Sequence, residues 1–376
     1  MKGSDSNMGT FPIPDAVPAW DRQGMKNQIT ACAVLAVFVA ALAGCAAPTG
    51  GPSGTPTAAG VSTSTYEDGA QLVFEWYGSG GDGKKLFLVN GETDRHTTIT
   101  EDVAAGTEHV HPDWSPDGTK IAFESLAHEG AASIWIAEAD GSNAVETISC
   151  ESPNCLQQFQ PSFSPDGQSL VFVQGDGPAD HWGPASIVTL ELNTGTRQVV
   201  AATADGKAAF YNPRWSPDGT QIVAQYETYP DIEESDILSS EIVVVPSDGS
   251  APPTSLTDPT MFAGHPDWSW KNNLIVFDTY DLSAFFPVSP GDSNLYVMNP
   301  DGSDQRQLTA TTLSKLQRIG EPTWTPDGTS IVASIGSLNS DGVIQNASII
   351  FVDPASGEFD RIGASGACAR LQPVLS

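Results

Sequence analysis

The chain has 376 residues, with 46 acidic against 16 basic side chains and a formal net charge of −30 at pH 7. A surface this acidic repels phosphate backbones, which argues against nucleic acid as a partner. Cationic groups or metal ions are better candidates, although an acidic surface also serves simply to keep an exported protein soluble.

An apolar run covers residues 29–43, follows Lys26 and ends in Leu42-Ala43-Gly44-Cys45. It is too short to be a comfortable membrane span. A cationic start, an apolar centre and small residues before a cysteine resemble a bacterial lipoprotein signal peptide. The resemblance implies that Cys45 is lipidated, so that the protein is exported and held on the extracytoplasmic side of the membrane by a lipid anchor alone. A secretory peptide with an incidental cysteine, or an uncleaved anchor, is the alternative.

Four segments follow from this pattern. Residues 1–24 are a polar N-terminal extension unlike a signal peptide, which suggests that translation begins at Met25. Residues 25–44 are the signal peptide, and residues 45–65 are a Pro-, Gly-, Thr- and Ala-rich flexible tether. Residues 66–376 form the folded body.

The folded body is organised by a repeat whose clearest copy is His111-Pro112-Asp113-Trp114-Ser115-Pro116-Asp117-Gly118, followed by a β-rich run. Further copies begin at Gln160, Asn212, His265 and Glu321. A sixth copy is split, because residues 66–74 match its second half and residues 371–376 match its first half. Residues 61–65 compete for that first half, but they lack the polar-Pro-x-apolar pattern.

The turn positions of successive copies, from Gly69 to Gly328, are 49, 49, 52, 53 and 56 residues apart, which is room for four strands. In the second copy we predict strands at residues 112–115, 120–125, 133–137 and 145–149. We therefore predict an all-β fold, a six-bladed β-propeller of four-stranded blades, closed by the C-terminal strand (residues 371–375) in blade 1.

The aromatic residue of each copy occupies one position, and we predict that this row packs between neighbouring sheets. Its members are Trp114, Phe163, Trp215, Trp268 and Trp324, with Leu375 in the split copy.

An aromatic residue followed by Ser-Pro-Asp-Gly and a β-run resembles the WD-like propeller repeats found in the C-terminal domain of TolB and its relatives. The resemblance covers about residues 66–376. It implies a rigid disc that binds proteins, peptides or sugars.

The residue before the proline lies near one mouth of the predicted channel, and it is polar in every copy. The six positions are His111, Gln160, Asn212, His265, Glu321 and Gln372. We interpret them either as a ring that binds a cation, metal or polar ligand, or as a solvated ring that caps strand ends. His109 could assist a metal.

Three longer loops, residues 175–186, 227–240 and 278–293, mix aromatic residues with carboxylates. Such loops could stack on a sugar or bind a basic peptide, or they could be solvated acidic loops. The candidate binding residues are Asp180, His181, Trp182, Tyr229, Asp231, Tyr280, Phe285 and Phe286.

Motifs for catalysis are mostly absent from the sequence: there is no Gly-x-Ser-x-Gly elbow, no His-Glu-x-x-His helix and no Gly-rich phosphate loop followed by Lys-Ser or Lys-Thr. We predict no cofactor and no dedicated metal site. Calcium or a transition metal at the channel mouth stays open, without a ligand motif to support it. In an exported protein, Cys150 and Cys155 favour a local disulfide.

The first functional hypothesis is a monomeric, lipid-anchored and non-catalytic propeller that binds an envelope protein, peptide or glycan. The second is a metal-dependent carbohydrate-active enzyme, because some propellers that resemble this one and act on uronate oligosaccharides hold a metal with histidines near the channel mouth. His109, His111 and His265 would carry that chemistry. The third is a purely structural spacer.

Overall fold

The computed structural model describes the propeller body in segments. The described residues are 71–77, 84–90, 93–100, 103, 108–126, 132–149, 157–175, 185–203, 207–230, 237–279, 293–309, 317–338, 344–362 and 366–373. The predicted signal peptide, tether, lipid site Cys45 and disulfide Cys150–Cys155 lie outside them. Within these ranges, no helix has the length and apolar character needed to cross a membrane.

The described chain is almost entirely β-structure, arranged as six successive strand groups that we number by their order around the ring. Group 1 contains β1 (Gln71–Tyr77), β2 (Lys84–Asn90) and β3 (Thr93–Thr98), joined by the C-terminal strand β24 (Ala367–Leu371). Group 2 contains β4 (Glu108–Trp114), β5 (Lys120–Leu126), β6 (Ala132–Glu138) and β7 (Val145–Ile148). Group 3 contains β8 (Gln157–Phe163), β9 (Ser169–Gly175), β10 (Ala185–Glu191) and β11 (Arg197–Ala201).

The remaining three groups repeat the antiparallel meander. Group 4 contains β12 (Ala208–Trp215), β13 (Gln221–Thr228), β14 (Ser239–Pro246) and β15 (Thr254–Ser255). A short 3-10 helix (Pro259–Met261) leads into group 5, which contains β16 (Ala263–Trp268), β17 (Ile275–Thr279), β18 (Asn294–Met298) and β19 (Arg306–Gln307). Group 6 contains β20 (Gln317–Trp324), β21 (Ile331–Leu338), β22 (Ile344–Val352) and β23 (Phe359–Arg361).

The prediction of six separate four-stranded blades is wrong. The strand pairings give four four-stranded sheets, formed by groups 1, 2, 5 and 6, and one continuous eight-stranded sheet. Groups 3 and 4 merge because Ala185 of β10 pairs in parallel with Ala209 of β12. Both residues are buried alanines, and their small side chains let the two backbones approach closely.

The first strands of the groups, β4, β8, β12, β16, β20 and β24, contact one another in a closed ring around the channel. Apolar clusters fill the space between neighbouring sheets, as in the cluster that joins Trp324 of group 6 to Val276 and Leu295 of group 5. The row of aromatic residues is buried, as predicted, at Trp114, Phe163, Trp215, Trp268 and Trp324.

The C-terminal strand pairs antiparallel with β1, and Leu72 faces Leu371 in this register. The strand therefore lies four residues earlier than the predicted residues 371–375. Leu371, and not Leu375, takes the place of the aromatic residue in this group. The pattern placed this strand four residues too late because group 1 has Ala369 where the other copies have proline.

The turn between β4 and β5 packs against the two residues that follow this strand, Gln372 and Pro373. Gly118 has φ +67°, and a Cβ atom there would lie 2.4 Å from the Pro373 carbonyl oxygen. The Gly118 carbonyl in turn accepts a hydrogen bond of 2.7 Å from Gln372 Nε2. Only glycine combines this backbone conformation with such a close approach.

Candidate binding site in the central channel

A left-handed residue interrupts every first strand of the ring. His111, Gln160, Asn212, His265 and Glu321 have φ between 45° and 56°, and the strand register shifts around each of them. These are β-bulges, and a non-glycine residue in this region costs on the order of 1–3 kcal/mol. The sixth left-handed residue is Cys368, with φ 47°. The predicted ring is therefore present at five positions, but Cys368 replaces Gln372 as its sixth member.

The strained residues are held by hydrogen bonds between neighbouring groups. In four cases a side chain on the second strand of one group accepts the backbone N–H of the left-handed residue in the next. The pairs are Glu75 with His111 (3.3 Å), Glu124 with Gln160 (3.3 Å), Gln225 with His265 (3.1 Å) and Asp278 with Glu321 (2.9 Å). The channel ring is thus a chain of bonds that runs from group to group.

Groups 3 and 6 form the same contact differently. Their second strands carry Val173 and Ser334 at the equivalent position. The left-handed residue itself supplies the acceptor instead. Gln160 Oε1 accepts the Asn212 N–H at 2.8 Å, and Glu321 Oε2 accepts the Cys368 N–H at 2.9 Å. Ser334 supports the second bond by donating to the same Glu321 oxygen at 3.1 Å.

The two ring histidines each contact a carboxylate of their own group. His111 Nδ1 lies 2.7 Å from Glu124, and His265 Nδ1 lies 2.9 Å from Asp278. Burial by itself lowers the pKa of His265, but the charges of Asp278 and Glu321 outweigh it, so this pKa lies above its usual value. The five polar ring residues are only 5–8% exposed, whereas Cys368 is partly exposed. The backbone N–H groups of the ring are therefore held by bonds between groups, and the two histidine side chains by bonds within their own group.

His109 lies apart from this ring. Its side chain is fully buried, and its ring packs edge-on against Phe123 with centroids 5.5 Å apart. Burial and the nearby charge of Lys85 lower the pKa of His109 to about 4. It is therefore a core residue. Among the described residues, no group of three or more His, Cys, Asp or Glu side chains could hold a metal ion.

Two residues further along the first strands, four charged side chains meet across the channel. Arg370 lies 3.8 Å from Asp113 and 3.7 Å from Asp267, and Arg214 lies 3.6 Å from Asp267. Burial, followed by the charge of Arg370, lowers the pKa of Arg214 to about 10. Burial raises the pKa of Asp113, although both arginines oppose that shift. These four residues form a charged layer within the channel.

One cavity lies on each side of the charged layer, and Arg214 and Arg370 line both. The smaller cavity, of about 30 Å³, is bordered by ring residues. Those residues are His111, Asn212, His265, Glu321 and Cys368. The larger cavity, of about 80 Å³, lies at the end where the first strands turn into the second strands, and tryptophans line it.

Of the predicted loop residues, only Tyr229 is described. It is 5% exposed, and its hydroxyl donates to Glu227 and lies 3.3 Å from the Tyr211 hydroxyl. Tyr229 thus packs inside the protein. The other candidates, Asp180, His181, Trp182, Asp231, Tyr280, Phe285 and Phe286, lie outside the described residues.

The sequence interpretation did not identify the charged layer or the acceptors on the second strands. A signal for the acceptors does exist, because Glu75, Glu124, Gln225 and Asp278 each follow directly on an apolar run in the second strand. A polar residue at a buried strand position needs a partner. The charged layer carries no such local signal, because Asp113, Arg214, Asp267 and Arg370 become neighbours only when the ring closes.

Comparison with known proteins agrees with this architecture. Residues 62–222 match the family model described as the TolB beta propeller domain. A TolB homolog from Chlorobium luteolum is 28% identical over 128 residues, which are 34% of this chain and 26% of that protein. The chain thus matches about a quarter of that relative's length.

Two solved structures share the fold. TolB from Acinetobacter baumannii superposes with a TM-score of 0.54 at 17% identity, over 81% of this chain and 66% of that one. Hydrazine synthase from Kuenenia stuttgartiensis gives 0.57 at 13% identity, over 81% and 46%. At these identities the likeness shows the fold alone. Together with the repeats, these matches show that residues 62–222 are similar in sequence to the TolB beta propeller domain and that the chain shares the fold of TolB.

Proposed function

We propose that this protein is a non-catalytic binding or scaffold protein of the bacterial cell envelope, with an envelope protein or peptide as its partner. It is exported, and a lipid on Cys45 holds it at the membrane. Similarity to TolB propellers supports a binding role. The loops at residues 175–186 and 227–240 form the partner surface, because they follow the ends of second strands β9 and β13 and carry several acidic side chains, together with Trp182 in the first loop.

One observation favours binding over catalysis. The polar residues at the channel mouth, which an enzyme would use, are buried and take part in hydrogen bonds between strand groups. His111 and His265 each contact a carboxylate of their own group. A reactive residue must reach its substrate, and these side chains are committed to the ring.

The partner is tested by crosslinking in cells of the native organism, affinity capture and reconstitution with the purified partner. We expect that replacing residues 176–184 and 231–236 by short turns abolishes binding while the protein keeps its circular dichroism spectrum. A matched control replaces Thr194-Gly195 with Asn-Gly in the β10–β11 hairpin, and it should keep the partner. A folded loop variant that binds as well as the parent would refute the assigned surface.

The anchor is tested separately. We expect Cys45→Ser to abolish palmitate labelling and to release the protein from the membrane fraction. Cys32→Ser, within the predicted signal peptide, is the matched control and should keep both. Labelling that survives in Cys45→Ser would contradict the anchor.

A further inference from the structure

The turn between the first and second strands of group 5 differs from the equivalent turns of its neighbours. Groups 2, 3, 4 and 6 place proline, aspartate and glycine at successive turn positions, whereas group 5 has Trp270, Lys271 and Asn272. This turn closes with a hydrogen bond of 3.2 Å from the Asn273 N–H to the Ser269 carbonyl, and Asn273 takes the left-handed conformation with φ 52°. Because a proline turn serves four other groups, the fold itself does not require a tryptophan here.

Trp270 presents its side chain at the mouth of the larger channel cavity. It is 39% exposed, and it is the one aromatic residue among the large exposed hydrophobic side chains of the described residues. Pro326, Leu371 and Pro373 border the same cavity. An exposed tryptophan beside an apolar cavity is typical of an interaction surface, where such side chains supply much of the binding energy.

The turns of neighbouring groups touch one another around this cavity. A Cβ atom on Gly167 of group 3 would lie 3.5 Å from Pro116 of group 2. Asn272 Nδ2 of group 5 donates a hydrogen bond of 2.5 Å to the Gly328 carbonyl of group 6. These turns therefore form a rim at the entrance of the cavity, which we call the turn rim.

The turn rim carries one exposed carboxylate for each proline turn. These are Asp117, Asp166, Asp218 and Asp327. Each accepts a hydrogen bond of 2.6–2.7 Å from the serine or threonine hydroxyl that begins its own turn. In the three turns that begin with serine, this bond lowers the pKa of the aspartate. Burial acts against the effect at Asp327, but the hydrogen bonds from Thr325 and Thr329 outweigh it and lower this pKa too. All four carboxylates are therefore ionised at neutral pH.

The turn rim has a negative balance of charge. Lys271 is the cation that stands at the aspartate position in group 5, and Lys120, close by in sequence, is paired with Glu138 at 2.8 Å. The charged layer at the inner end of the cavity contains two arginines and two aspartates, so it adds no net charge. An apolar cavity is thus surrounded by carboxylates, which attract cations and repel anions.

We propose that this end of the channel binds a basic peptide segment of an envelope protein, with one apolar side chain of that segment in the cavity beside Trp270. Lysine or arginine side chains on either side of this residue face the aspartates of the turn rim. At about 30 Å³ per water, a cavity of about 80 Å³ takes roughly three heavy atoms, which suits the branched end of a leucine or valine. Trp270 adds apolar contact area and attracts a neighbouring cation through its ring face.

This surface is separate from the proposed partner loops. The turn rim lies where the second strands begin, whereas the loops follow the ends of β9 and β13. The protein therefore has two interaction surfaces, one at each end of the second strands, and each can be removed without the other.

The test uses the purified full-length protein, with ¹⁹F NMR of 5-fluorotryptophan and isothermal titration calorimetry. The probe is an acetylated and amidated pentapeptide that has leucine between two pairs of lysines. We expect it to shift the Trp270 signal, which is assigned from Trp270→Phe. Trp270→Ala should weaken binding by about 10-fold or more, as expected for a central aromatic contact. Val199→Ala removes an exposed apolar side chain from the outer strand β11 and, as the matched control, should bind as the parent does.

A second variant tests the turn rim and keeps its turns intact. Asp218→Asn with Asp327→Asn removes the charges of the two groups next to group 5, while the amide oxygens still accept the hydrogen bonds of their turns. We expect the affinity to fall about 3- to 10-fold at low salt, and this difference to shrink at about 0.5 M salt. Asp248→Asn with Asp301→Asn makes the same change of charge in two exposed outer hairpins and should lower the affinity less than about 2-fold.

Two further pentapeptides separate the apolar contact from the charge. One has glycine in place of leucine, the other has glutamates in place of the lysines, and both should bind about 10-fold more weakly or less. The proposal is overturned if the lysine–leucine peptide leaves the Trp270 signal unchanged, if either further peptide binds equally well, or if the control variants lose as much affinity as the turn-rim variants. The protein without residues 176–184 and 231–236 should bind the probe as the parent does. A loss there would assign the peptide to the partner loops and would also overturn this site.

Discussion

Strand groups 2 and 3 hold the same strained backbone in different ways. In group 2 the second-strand residue Glu124 accepts the N–H of the next left-handed residue, while it also contacts His111 of its own group. In group 3 the second strand has Val173, and Gln160 reaches across from the first strand to accept the Asn212 N–H. The acceptor has thus moved between strands while the bond is kept. The hydrogen bond between groups is therefore kept even where a different position of the repeat supplies its acceptor.

The largest expected effect comes from removing the strand that closes this chain of bonds. Deleting residues 366–376 removes β24, its pairing with β1 and the Cys368 N–H that Glu321 accepts. We expect the Tm to fall by more than about 10 °C, at roughly 2–4 °C per kcal/mol. Differential scanning calorimetry measures the shift. A chain that ends after Pro373 keeps β24 and is the control, and an unchanged Tm in the longer deletion would contradict the closing role of the strand.

The second largest effect concerns the acceptor arrangement of group 3, in which the first strand supplies the acceptor. Gln160→Leu leaves the Asn212 N–H without its acceptor, because Val173 on the neighbouring strand cannot replace it. We expect the free energy of unfolding to fall by about 1–3 kcal/mol, the penalty for one buried unsatisfied donor. Urea denaturation measures this change. Gln168→Leu, at an exposed turn position, should change stability by less than about 0.5 kcal/mol. Equal losses in the two variants would show that the Asn212 contact contributes nothing.

A double-mutant cycle then tests whether the group 2 arrangement can be moved into group 3. Val173→Gln copies Gln225 of group 4, so it should cost less in the Gln160→Leu background than in the parent. We expect a coupling energy of about 0.5–1 kcal/mol, measured from the four urea curves. Strict additivity of the two changes would show that the second-strand position cannot supply the acceptor in this group.

The smallest effect concerns pH. The pKa of His265 is raised by Asp278 and Glu321 against the effect of burial. The stability that protonated His265 contributes is therefore fully present below the pKa of the unfolded chain, near 6.5, and is lost as pH rises through the higher folded-state pKa. We expect the stability advantage of the parent over His265→Gln to shrink from about pH 6 to pH 9. An advantage that stays constant over this range, in urea titrations at each pH, would contradict the shift.

Much of the fold could be predicted from the sequence because the relevant signals are local. Ser-Pro-Asp-Gly turns, apolar second strands and the buried Trp114 row each follow from a few adjacent residues. The merging of groups 3 and 4 could not be predicted. It depends on one parallel pair, Ala185 with Ala209, between strands that are not neighbours in sequence.

The candidate site, too, could be predicted from the sequence only in part. The polar ring was found at His111 and four similar positions because a proline follows each of them. At the sixth position we predicted Gln372, because Pro373 follows it. The left-handed residue there is Cys368, which is followed by Ala369 and therefore lacks the proline of the pattern. Whether the ring residues bind a ligand or serve the fold depends on the second-strand residues opposite them, and that pairing is visible only in three dimensions.

The position of Pro373 has a practical consequence. Leu371 and Pro373 border the tryptophan-lined cavity, and the Pro373 carbonyl lies against Gly118. A purification tag or fluorescent protein fused after Ser376 would start three residues from the cavity rim. A tag inserted into an exposed hairpin such as Thr194-Gly195 avoids this end of the channel.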